Sequence, residues 1–156
     1  MSKNEIKLRL SLPANGYRRW MFFNRFAIQR IGNHALVHFA LMDGSGILRD
    51  HYACLLSQQT LRQSKEELSK YLGRVGAPKT SAPMWSPPAT GQTDTANVIF
   101  MGQGDEAEIV LAAFAAWPAV GQAKTSEQEI PVDGIACLRC DVETQRQFLA
   151  ALLADN

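Results

Sequence analysis

No apolar run in this 156-residue chain approaches the roughly eighteen residues of a membrane-spanning helix, and no apolar core segment follows Met1, so neither a bilayer span nor export is expected. Cysteine is scarce. Three residues make no disulfide framework, and the expected compartment is the cytoplasm. The single Cys-x-x-Cys, Cys137 to Cys140, has neither a second knuckle nor a spaced histidine pair, whereas structural zinc takes four ligands. Gly102-Gln103-Gly104 lacks the third glycine and the strand–turn–helix setting of a dinucleotide site, and Ser45, Ser57 and Ser81 have no Gly-x-Ser-x-Gly context. The acidic run Asp105, Glu106 and Glu108 has no partner pattern that singles out an acid–base pair. These absences exclude the familiar signatures of catalysis, and no enzyme, cofactor or metal is expected.

What is present is an ordinary folding composition, 46% apolar, in a chain long enough for one compact body. The net charge of +1 hides an asymmetry. Residues 1–75 hold 12 Lys and Arg against 5 Asp and Glu, whereas residues 76–156 hold 4 against 10, so halves of +7 and −6 face a partner with opposite fields.

Lys7 to Leu12 alternates polar and apolar with the period of a half-buried strand, an edge strand by its charge. Arg18 to Arg30, read as one strand, sets Trp20, Phe22, Asn24, Phe26 and Ile28 on a core face. Ala35 to Met42 and Ile47 to Leu56 flank the turn Asp43-Gly44-Ser45-Gly46, and a tip at Gly44-Ser45 puts His38 opposite His51 and Ala35 opposite Cys54. Ser57 then caps a helix to Leu72, with Gly73 as its stop. Residues 76–95, rich in Pro, Ser, Thr and Gly, read as a linker.

The remaining chain, 96–156, reads as a second copy of 1–75. A spacing of 73 brings Asn24 to Asn97, Phe26 to Ile99, and Leu36-Val37 to Ile109-Val110. A spacing of 83 brings Tyr52-Ala53-Cys54-Leu55 to Ile135-Ala136-Cys137-Leu138, and 84 brings Ser57 to Asp141 and Leu68 to Leu152. One β-β-β-α unit exposes an apolar sheet face that a single helix scarcely covers. The expected fold is therefore α+β, with two pseudo-twofold-related β-β-β-α repeats forming antiparallel sheet packed by two helices. Phe22-Phe23-Asn24, His51 to Leu56 and the Ser-led helix to Leu72, repeated in degenerate form at Ala96-Asn97 and Ile135 to Leu153, resemble a family of short uncharacterised bacterial proteins. The function of that family is unknown, though some members are described as transcription regulators, and the resemblance implies a regulatory role.

Cys54 and Cys137 are expected as buried small hydrophobes on equivalent strands, and His38 and His51 as side chains close enough for a shared proton. Arg18, Arg19, Arg25 and Arg30, interleaved with Trp20, Phe22, Phe23 and Phe26, are the candidate nucleic-acid contacts; the competing reading is a core strand whose arginines meet solvent. Trp85 and Trp117, in otherwise polar loops, are the candidate partner contacts, with the long loop 115–133 beside them. The function expected is a non-catalytic protein-interaction module that forms a homodimer and spans no membrane. The alternative is a nucleic-acid-binding regulator using the basic aromatic first lobe.

Overall fold

In the computed structural model, which describes residues 7–11, 16–89, 93–103, 106–114 and 127–154, the chain builds two sheets and two helices. The first sheet is organised on β9 (Glu127–Cys140). On one side β9 pairs antiparallel with β8 (Ala107–Phe114), which pairs in turn with β7 (Val98–Gln103). Along its other side β1 (Lys7–Ser11) and then β2 (Tyr17–Phe22) lie end to end, both parallel to β9. The second sheet runs β3 (Arg25–Ile31), β4 (His34–Met42), β5 (Leu48–Leu56) and β6 (Asp94–Ala96), antiparallel except that β6 is parallel to β5. The fold is α+β, but its sheets are mixed and not antiparallel throughout. Hairpins explain only the antiparallel part. The parallel pairs join strands far apart in sequence, which a turn cannot connect.

The aromatic stretch after Gly16 is two strands in two sheets. The N–H of Phe23 donates to the Arg139 carbonyl of the first sheet at 2.9 Å, and the next N–H, that of Asn24, donates to Ala40 of the second at 2.9 Å. Asn24 pins the crossing with its side chain, donating to the Met42 carbonyl at 2.8 Å and accepting from the Met42 N–H at 2.9 Å. The core face expected for the whole stretch therefore holds only beyond the crossing, at Phe26 and Ile28. Before it, Met21 and Phe23 face inward, whereas Trp20 and Phe22 are 52% and 49% exposed.

The β4–β5 register lies two residues from the expected one. Asp43 Oδ1 accepts from the N–H groups of both Ser45 and Ile47, and Gly46 supplies the positive φ of 80° that closes the turn. His38 therefore pairs with Ala53, Ala40 with His51, and Ala35 with Leu56. An even shift leaves every side chain on its face.

α1 (Gln58–Val75) begins where the Ser57 hydroxyl accepts from Thr60 N, and α2 (Val142–Leu153) where Asp141 does the same for Thr144 N. α1 passes the expected stop at Gly73 and ends at Gly76, whose φ of 94° and N–H bond to the Leu72 carbonyl close the last turn. Both helices pack onto the inner faces of the sheets. There Ala35, Val37, Phe39, Cys54 and Leu56 meet Ile109, Leu111 and Leu138 around Leu68, Phe148 and Leu149. The Phe148 ring sits 5.4 Å from Phe26 and 5.2 Å from Phe39. Gln145 is fully buried yet satisfied, donating to the Gly102 and Glu108 carbonyls and accepting from the Tyr71 hydroxyl. At Gly134 a Cβ would stand 2.5 Å from the Gly16 carbonyl oxygen, so β2 reaches β9 only over a glycine.

Phe148→Ala removes the fully buried α2 ring that packs against Phe26 and Phe39 of the second sheet. It is expected to cost about 3–5 kcal/mol with the denaturant slope unchanged, measured by equilibrium unfolding.

Candidate functional site

Two side-chain groups stand on the outer faces of the two sheets. On the first, alternation along β2 turns Trp20 and Phe22 outward, opposite Cys137 and Arg139 of β9. The Arg139 guanidinium lies 4.9 Å from the Trp20 ring centroid, and the Tyr17 ring meets Trp20 edge to face at 5.0 Å. Arg139 Nε is 3.2 Å from Glu108 Oε1 but has no aligned hydrogen bond, so the contact is electrostatic. Arg18, two residues before Trp20, is exposed and makes no polar contact among the described residues. The result is a strip of half-exposed aromatics with cations at both ends and one carboxylate beside it.

The four arginines singled out in the sequence do not converge. Arg18 belongs to this strip. Arg19 faces inward and pairs with Asp50 of β5, and Arg25 folds back on the Asn24 carbonyl at 2.9 Å. Arg30 Nη2 holds the carbonyls at the end of α2, those of Leu152 at 3.0 Å and of Ala151 and Ala154 at 3.4 Å each. Arg139 and Glu108 were missed because each sat inside a pattern weighed for other chemistry, the Cys-x-x-Cys and the acidic run. No local signal marks them, because the aromatics they meet lie on β2, far away in the chain.

On the outer face of the second sheet, His38 Nδ1 is 3.0 Å from His51 Nε2, and His38 Nε2 is 2.8 Å from Gln29 Oε1. The two imidazole planes differ by 6° with centroids 5.3 Å apart, which is the nitrogen separation plus two ring radii. The rings are thus coplanar and joined in line, their facing nitrogens aimed at one another and not at a common third point. Since the Gln29 oxygen accepts only, the assigned tautomers are Nε2–H on both histidines, with His51 donating to His38 and His38 to Gln29. Burial holds both pKa values below the ordinary 6.5. The neighbouring His51 lowers His38 further, while at His51 Asp50 acts upward and Arg19 downward. Trp85 closes the site, its ring edge to face against both imidazoles at 6.4 and 5.8 Å.

Trp85 sits in residues 76–89, which form no helix or strand and are tethered to α2. Glu143 Oε2 accepts three bonds of 2.8 Å from Lys79 N, Thr80 N and Thr80 Oγ1, and Gln147 donates to Thr80. Trp117 lies outside the described residues, as do residues 115–126 of the long loop. All three cysteines are free and buried, and burial pushes the Cys54 thiol up to about 12. Cys54 faces the shared core, whereas Cys137 faces outward beneath the Trp20 strip and Cys140 inward. Residues three apart on a strand point to opposite sides, so Cys137 and Cys140 cannot share a ligand. Among the described residues no three His, Cys, Asp or Glu side chains gather as a metal site, and no helix is long and apolar enough to cross a membrane.

No family model, curated protein or solved structure matches the chain. Its class is defined by its own geometry, an α+β body of two mixed sheets with an aromatic strip on one outer face and a strapped histidine pair on the other.

Depressed histidine pKa values mean that the unfolded chain binds more protons just below pH 6.5. Stability is therefore full above that pH and falls as the pH drops toward the folded-state values. The urea midpoint is expected to fall between pH 7.5 and 5.5, and less in His51→Gln; equal pH dependence in the two proteins would contradict this. Thiol labelling of the native protein is expected to be slow at all three cysteines and complete only on unfolding.

Proposed function

We propose that the chain is a duplicated, non-catalytic interaction module whose contact strand is β2 and whose partner is a second copy of itself. The duplication is supported by the side chains that share the core. Phe26 and Ile28 correspond to Ile99 and Met101, Ala35, Val37 and Phe39 to Ala107, Ile109 and Leu111, and Tyr52, Cys54 and Leu56 to Ala136, Leu138 and Cys140. The spacing is 73, then 72, then 84, and Ser57 to Asp141 is again 84. The spacings of 73 and 83 expected for the second and third strands are each one residue out of phase with these inward faces, and a one-residue slip exchanges the faces of a strand. The crossings agree as well. β2 joins β9 and β6 joins β5, both parallel, and the asparagine after each, Asn24 or Asn97, donates its N–H to Ala40 or Ala112 at 2.9 Å.

The contact reading rests on one observation. Trp20 and Phe22 stand half exposed on one face of a strand whose far edge has no strand partner among the described residues. Tryptophan, phenylalanine and arginine are the residues enriched in interface centres. Arg18, Arg139 and Glu108 give the rim both signs of charge, which an isologous contact can pair. Single-stranded nucleic acid would use the same aromatics. Against it, Arg139 covers part of Trp20, Glu108 sits in the strip, and Arg19, Arg25 and Arg30 are engaged elsewhere.

Light scattering at micromolar concentration is expected to give a dimer mass at both low and moderate salt. Trp20→Ser with Phe22→Ser should give a folded monomer whose unfolding midpoint no longer depends on protein concentration, whereas the wild-type midpoint should rise with concentration. A monomeric wild-type protein would overturn the homodimer. Oligonucleotide binding that weakens steeply with salt would favour the regulator instead.

A further inference from the structure

Away from both outer faces, the start of α1, the β3–β4 turn and the end of α2 border a half-open cavity of about 310 Å³. Its floor is leucine, with Leu61 and Leu68 from α1 and Leu152 and Leu153 from α2. Its wall is cationic. Gln58, Arg62 and Lys65 succeed one another at helical spacing on one face of α1, and Arg30 faces them across the opening. No carboxylate lines the cavity among the described residues, since Glu66 and Glu67, the acidic residues of α1, pair with Lys70.

Arg30 is held in place rather than neutralised. Its Nη2 serves the carbonyls that end α2, leaving Nε and Nη1 without a partner among the described residues. The same bonds offset the partial negative charge of that helix end, which would otherwise repel an anion. The start of α1 adds the positive end of a helix. Three cations of one sign around an apolar hollow repel one another, and low-dielectric walls concentrate their field. A ligand that lowers this energy carries negative charge at the rim and hydrocarbon at the floor.

We propose that the cavity binds a small amphipathic anion, a carboxylate or phosphate monoester on an apolar body. At about 30 Å³ for each water-sized volume the cavity holds roughly ten non-hydrogen atoms, about the size of octanoate. The inference does not depend on the homodimer, because the cavity lies on different elements from β2.

The test titrates the full chain with octanoate, octyl phosphate, octylamine and inorganic phosphate, followed by amide chemical shifts. Saturable shifts confined to residues 30–33, 58–68 and 151–154 are expected with at least one of the two octyl anions, and the stronger of them identifies the head group. Octylamine should not bind, and inorganic phosphate should bind about tenfold or more weakly than octyl phosphate. Arg62→Glu with Lys65→Glu, both on exposed helix surface, should weaken anion binding by at least about tenfold at unchanged melting temperature, while Lys70→Gln should not. The Asp155→Asn protein is run in parallel, because that carboxylate follows α2 directly. Octylamine binding as well as octanoate, an unaffected double variant, or octyl anions binding only once Asp155 is neutralised would each overturn the proposal. So would the absence of saturable binding by either octyl anion.

Discussion

Two neighbouring backbone N–H groups, those of Phe23 and Asn24, donate into different sheets, and most of the molecule follows from that division. A chain that leaves one sheet and enters the next within a single peptide unit ties their edges together without a connecting loop. The inner faces are thereby held over a common set of helices, so Phe148 can touch Phe26 and Phe39 while Leu138 packs in the same cluster. The crossing also reverses which alternate residues face the core. Trp20 and Phe22 share the sequence parity of Phe26 and Ile28 but lie on the other side of the division, and so meet solvent.

Much of the local structure was legible in the sequence. Ser57 and Asp141 announce helix starts because each places a short oxygen before a free N–H, a pattern complete within four residues. The proximity of His38 and His51 survived an error of two residues in register because strands repeat every two. Long-range pairing left no such trace. Nothing near Tyr17 indicates that it will lie beside Gly134, and the one hint, a glycine where a side chain would strike the Gly16 carbonyl, is intelligible only after the fact. The two outer-face groups show the same limit. The histidines lie on adjacent strands of one hairpin, whereas the Trp20 strip draws Arg139 from the far end of the chain.

The arginines of the first half show why charge counts bound function only loosely. Of four cations within thirteen residues, one pairs with Asp50, one folds onto its own backbone and one closes the end of α2. What reads as a basic lobe is partly structural, and positive charge gathers also at Arg62 and Lys65, in a helix that carries four basic side chains against two acidic ones.

The pairing of β2 with β9 also orders events in time. Trp20 sits opposite Cys137, so 117 residues of chain separate partners in one ladder. During synthesis at roughly 5–20 residues per second, β2 emerges many seconds before the strand it must join. Throughout that interval Trp20, Met21, Phe22 and Phe23 form an apolar segment with no sheet to receive it. The second sheet is different: β3, β4 and β5 are contiguous hairpins and can pair as they appear. The nascent protein therefore passes through a stage in which the second sheet is largely formed while β2, of the first, still waits for β9.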